Sequence, residues 1–148
     1  MDGPIEYKEC QGNQLYKLFS MKLINVPFPI DYPTNNGKAK PVVCGSYLKI
    51  KPGDILRIFK GYVWEPSGPT VGTKNFMVPS LAHDALYQLI RNGKLLPKEL
   101  WREYADDLLK RMCLERGMWG IRAWYVHRAV RAFGGCSARN PRKVITAP

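Results

Sequence analysis

The spacing of apolar positions changes near residue 80, and the change divides the expected fold in two. Before it lie short runs rich in β-branched and aromatic residues, separated by turn residues. They are Pro41-Val42-Val43-Cys44, Ser46-Tyr47-Leu48-Lys49-Ile50, Ile55-Leu56-Arg57-Ile58-Phe59 and Gly61-Tyr62-Val63-Trp64. Pro52-Gly53-Asp54 has the chemistry of a tight turn, so the second and third runs are expected to form a hairpin. Gly61 reads as a bulge from which the fourth run extends the same sheet.

After Ser80 the apolar residues recur at helical spacing. Ser80 reads as an N-cap and Asn92-Gly93 as a C-terminal stop. Pro97 suits the first turn of a second helix that runs to Gly117. A third is expected from Met118 to Phe133, ending at Gly134-Gly135. Between sheet and helices, Glu65 to Pro79 carries three prolines and two glycines and reads as a loop, either with a job of its own or as a packed connector. Residues 1–40 read as a proline-rich arm or wrap, with Pro27, Pro29 and Pro33 as breakers. Gln14 to Lys22 could make a short helix or strand there. Residues 136–148 read as a basic tail. The expectation is one α+β domain: a small antiparallel sheet in the N-terminal half, packed with three C-terminal helices.

Helical geometry then sorts the polar residues. On the second helix Trp101, Ala105, Leu108, Leu109 and Met112 share one face. At about 100° per residue, Asp106 falls on the rim of that face and Asp107 falls near 200°, towards solvent. On the first helix His83 and Tyr87 are four apart and share a face, with Asp84 a quarter-turn round. Two short-looped antiparallel helices would bring His83 and Tyr87 up to Asp106. Asp106 could then hold one imidazole nitrogen and the Tyr87 hydroxyl, leaving the other nitrogen to take a proton from water. The plainer alternative is a structural histidine, with Arg102 and Asp106 as an ordinary i,i+4 helix pair. On the third helix Trp119, Ala123, Val126, Val130 and Phe133 form the expected buried face. Trp124, Arg128 and Arg131 gather opposite as a candidate binding surface, and His127 on the rim has no assigned role.

Composition narrows the classes. With 45% apolar and 24% charged residues among 148, the chain is an ordinary globular domain, and no apolar run reaches the roughly 20 residues a membrane span needs. The first residues carry Asp2, Glu6 and Glu9, unlike a secretory signal. The net charge of +11 is uneven: residues 1–90 hold 10 basic and 7 acidic side chains, residues 91–148 hold 13 and 5. A basic half attracts polyanions, whether nucleic acid, anionic lipid or an acidic protein. Cys10, Cys44, Cys113 and Cys136 form no C-x-x-C pair, which argues against a zinc ribbon. Two histidines are too few for a His-Asp metal phosphohydrolase.

The run Gly61-Tyr62-Val63-Trp64-Glu65-Pro66-Ser67-Gly68-Pro69-Thr70 stands first in a series of motifs. It is followed by Leu81-Ala82-His83-Asp84-Ala85-Leu86-Tyr87, Tyr104-Ala105-Asp106 and Arg122-Ala123-Trp124-Tyr125. Together they resemble a domain family of unassigned function found mainly in tailed bacteriophages and prophages. That resemblance, over about residues 45–135, implies a phage-encoded protein in the host cytoplasm during infection or incorporated in the virion, with other virion proteins as partners. More distantly, His-Asp-x-x-Tyr followed by Ala-Asp is similar to the compact viral calcium-dependent phospholipases of the A-two class. The similarity implies His83 as general base, Asp106 as its orienter, Tyr87 bonded to Asp106, and calcium held by Asp84 with loop carbonyls around Gly68. Here the sequence departs from that class, whose calcium loop is Tyr-x-Gly-x-Gly-like, because only Gly68 and Gly72 stand among the prolines. The readings to be weighed are a phospholipase-like ester hydrolase and a non-catalytic virion connector. In the connector, the same cluster would be a buried hydrogen-bond network. Nucleic-acid binding follows behind, on charge alone.

Overall fold

The computed structural model describes residue 5 and residues 7–10, 15–26, 34–35, 38–39, 41–51, 55–65 and 73–139. Among the described residues nine strands precede three helices: β1 (Tyr7–Cys10), β2 (Leu15–Leu18), β3 (Lys22–Asn25), β4 (Thr34–Asn35), β5 (Lys38–Ala39), β6 (Val42–Cys44), β7 (Leu48–Lys51), β8 (Ile55–Ile58) and β9 (Val63–Trp64), then α1 (Lys74–Arg91), α2 (Lys98–Glu115) and α3 (Gly120–Arg139). The class is α+β, as the sequence pattern implies. The three helices pack on one another; buried residues of α1 and α2 share a core with the strands, and those of α3 form a second cluster with Phe76, Leu109, Cys113 and Met118.

The larger sheet runs β3-β8-β7-β6, all antiparallel. The expected hairpin is β7–β8, with Leu48 opposite Ile58 and Ile50 opposite Leu56. Side chains alternate with period two. Leu48, Ile50, Leu56 and Ile58 face the core, while Lys49 and Arg57 take the other side. β9 does not extend this sheet. It pairs with β2 in a second, three-stranded sheet, β1-β2-β9, with Tyr16 opposite Trp64. Gly61 makes the switch: its φ of +96° suits a residue without Cβ, and a Cβ there would lie 3.0 Å from the Tyr47 ring.

The part of residues 1–40 that is described does more than wrap the surface. β2 and β3 each supply a strand to a different sheet, and Leu18, Ile24 and Val26 are buried in the common core. Pro27, Pro29 and Pro33 lie outside the described residues.

Two helix boundaries differ from expectation. α1 begins at Lys74, so Pro79 sits inside it and Ser80 is an interior residue. A proline there removes one i→i−4 bond and crowds the preceding turn. Burial opposes that cost: Phe76, Met77 and Val78 are all at most 3% exposed. Ser80 instead ties helix to sheet, accepting from Trp64 Nε1 at 3.3 Å and donating to the Met77 carbonyl at 2.9 Å. α3 runs past Gly134-Gly135 to Arg139, so the first residues of the expected tail are helical; 140–148 lie outside the described residues. Among the described residues, no helix is long and apolar enough to cross a membrane.

Candidate functional site

The site forms where the three helices meet. Apolar residues on α1 and α2, among them Ala85, Leu86, Ala105 and Leu109, are almost fully buried. The rim residues therefore have to face the neighbouring helix. Asp106 is 0% exposed. Burial of an unpaired carboxylate would be prohibitive, so its partners decide whether this arrangement can exist.

It has three. His83 Nε2 lies 2.8 Å from Asp106 Oδ1. The Tyr87 hydroxyl donates to the same oxygen at 2.6 Å. Arg131 Nη1 donates to Oδ2 at 3.3 Å. The His83 and Tyr87 rings, one turn apart on α1, stack with centroids 4.2 Å apart. The pairing drawn from helical geometry is the one the structure shows, with Asp106 as its centre.

The electrostatics follow from these bonds. Burial by itself raises the Asp106 carboxyl, but hydrogen bonds from His83 and Tyr87, the imidazole charge and the Arg131 bond outweigh it, so the net shift is downward. Burial, and then the hydrogen bond to Asp106, raise the Tyr87 phenol well above its ordinary value. Asp106 is thus a carboxylate and Tyr87 a neutral donor. A carboxylate at Nε2 selects the tautomer protonated there, which places the imidazole lone pair on Nδ1. Among the described residues Nδ1 has no hydrogen-bond partner, and the His83 side chain keeps 14% of its exposure. The arrangement can therefore take up a proton at Nδ1 and stabilise the resulting imidazolium from behind.

Two contributors escaped the sequence reading. Arg131, expected on the outer surface, turns its guanidinium inward to Asp106 and is 35% exposed. Gly134, expected as a helix stop, lies within α3 where a Cβ would come 2.6 Å from the Tyr87 hydroxyl. The only sequence signal for Gly134 was its position one turn beyond Arg131. Arg102 does not make the expected i,i+4 pair with Asp106. Its guanidinium pairs with Glu99 at 3.5 Å and donates to the Arg131 backbone carbonyl, which steadies the α3 turn that carries Arg131.

Asp107 also departs from expectation. It is exposed, yet it reaches α3, where His127 Nε2 lies 2.7 Å from its Oδ1. Trp119, expected inside, is 79% exposed; it precedes the first residue of α3, so helical spacing does not place it. Trp124 is exposed and stacks under Arg128, whose Cζ is 5.7 Å from the ring centroid.

Asp84 is half-buried and faces a different neighbourhood. Its charge is, after burial, the next cause of the raised phenol of Tyr62, just before β9. Gly68 lies outside the described residues. Calcium takes six to eight oxygen ligands, roughly, in ordinary protein sites. Nowhere among the described residues do three or more His, Cys, Asp or Glu side chains gather to hold a metal.

No protein-family model, curated protein or solved structure matches this chain.

Proposed function

We propose that the chain is a phage-encoded hydrolase of carboxylic esters, phospholipids or other envelope components being the substrate class, with His83 as its general base. One observation carries the reading: Asp106 occupies Nε2 of His83, so the basic nitrogen is Nδ1, backed by a buried carboxylate. In the reaction, Nδ1 takes a proton from water while the water oxygen bonds to the ester carbonyl carbon. The tetrahedral intermediate then expels the alkoxide, which takes the proton back from the imidazolium. Tyr87 and Arg131 hold Asp106 in register through both proton transfers. The phage setting is supported by the motif series from Gly61 to Tyr125.

The test is fatty-acid release from mixed phospholipid vesicles, with and without added calcium. His83→Gln keeps a hydrogen-bonding side chain but no base, and should lower the rate by about 10²–10⁴-fold. An inactive wild type, or activity unchanged in His83→Gln, ends the catalytic reading.

A second reading has its own observation. Asp106 joins all three helices, α1 through His83 and Tyr87 and α3 through Arg131. A virion connector would use such a lock to hold the helix trio rigid under load. That reading predicts a stability loss on breaking the lock and no ester hydrolysis.

A further inference from the structure

α3 has two apolar stripes. Ala123, Val126 and Val130 face inward against Phe76, Leu109, Cys113 and Met118. On the opposite side Ile121, Trp124, Tyr125 and Arg128 recur at i, i+3, i+4 and i+7, the spacing of a second face. That face is open: Ile121 is 75% exposed, Tyr125 56% and Trp124 52%. Trp119 adds a 79% exposed ring just before the helix. A helix apolar on both sides is normally covered on both.

Charge selects the cover. α3 contains four arginines and neither an aspartate nor a glutamate. Arg128 stands within the outer stripe itself, over Trp124. Beside the stripe an open groove of about 650 Å³ is lined by Tyr125, His127, Arg128 and Arg131. A second copy docked on this stripe about a twofold axis would set Arg128 against its own counterpart. A surface of phosphates would not.

We propose that the outer face of α3 is an interfacial anchor for anionic phospholipid. The helix lies in the plane of the bilayer. Ile121, Trp124 and Tyr125 enter the headgroup–acyl boundary, and Arg128 spreads its stem along Trp124 to reach lipid phosphate. Two tryptophans, a tyrosine and an arginine suit this depth, because each joins an apolar body to a polar tip. From Ile121 to Arg128 the contact is about 10 Å long at ~1.5 Å per residue. The anchor does not depend on hydrolysis at His83 and would serve a virion component equally.

The experiment uses the full chain with phosphatidylcholine vesicles, with and without phosphatidylglycerol, some carrying bromine on their acyl chains. The tryptophans are already sorted for it: Trp64 and Trp101 are 1% exposed, whereas Trp119 and Trp124 are open. Anionic vesicles should shift emission to the blue, and brominated chains should quench it. Ile121→Ser combined with Trp124→Ser should weaken partitioning by about tenfold or more, from the apolar area removed. Circular dichroism checks that the fold is retained; Ile121→Ser alone is the fallback if the double variant unfolds. Adsorption without quenching, or partitioning unchanged in the variants, means that charge alone attracts the protein and overturns the anchor. So does self-association or nucleic-acid binding that the same substitutions abolish in the absence of any vesicle contact.

Discussion

Two histidine–aspartate pairs leave α2 from adjacent positions, and their distances barely differ: 2.8 Å for His83–Asp106 and 2.7 Å for His127–Asp107. Their surroundings differ in everything else. Asp106 is sealed and its carboxylate takes three side-chain donors, two on one oxygen and one on the other. The Asp107 side chain is 63% exposed and holds one. Water competes for the second pair and screens it; nothing replaces the donors of the first. A short His–Asp distance therefore does not mark a site. What marks it is a carboxylate that cannot leave, so that the imidazole it orients keeps one fixed tautomer. One helical step of 100° on α2 separates a preorganised pair from an ordinary surface contact.

The sharpest way to break the comparison is to delete each aspartate. Asp106→Ala leaves the Tyr87 hydroxyl without its acceptor and Arg131 without its counter-ion, and should cost about 1–3 kcal/mol in chemical denaturation. Asp107→Ala should change stability by about 0–1 kcal/mol, as exposed ion pairs do. Equal losses would mean that burial does not distinguish the pairs. An unchanged Asp106→Ala would remove the connector reading as well.

Acid should weaken the buried pair next. The folded Asp106 carboxyl titrates below its unfolded value near 3.9. Its contribution is therefore full above about pH 4 and lost as the pH falls through the lower folded value. Stability of the wild type should fall across that window, with this group adding a slope of at most about 1.4 kcal/mol per pH unit. Asp106→Asn should flatten that part of the slope. The measurement is a set of denaturant melts between pH 5 and 2.

How far this was legible in the sequence depends on the range of the determining contact. His83, Tyr87 and Asp106 were placed by local rules, the i,i+4 step on α1 and the rim angle on α2. The β7–β8 pairing was signalled locally too, by the turn chemistry of Pro52-Gly53-Asp54, which lie outside the described residues. β9 escaped because its partner is β2, some 46 positions away, and no local signal names it. The start of α1 escaped because Pro79 reads as a breaker, while the burial of Phe76, Met77 and Val78 that overrides it is a tertiary fact. Arg131 and Asp107 were misplaced for a common reason. Helical angle gives the direction of Cβ, and a long or rim side chain reaches a neighbour that the angle alone does not show.

Gly134 offers the finest test, because two known effects of opposite sign meet there. In an open helix Gly→Ala stabilises by about 1 kcal/mol. Here the new methyl would sit 2.6 Å from the Tyr87 hydroxyl and 3.2 Å from two ring carbons, and Tyr87 is buried with little room to retreat. Relief requires moving the hydroxyl off Asp106, which forfeits a charge-assisted hydrogen bond of about 1.5–3 kcal/mol. The loss exceeds the gain, so Gly134→Ala should destabilise the wild type by about 1 kcal/mol. In Tyr87→Phe the atom nearest the methyl is gone, and the remaining 3.2 Å contacts can open by a few tenths of an ångström. In that background Gly134→Ala should be neutral or stabilising. The reversal of sign in the double-mutant cycle is the quantity to measure. If the two changes simply add, α3 does not press Tyr87 onto Asp106 through Gly134, and it acts on the buried pair through Arg131.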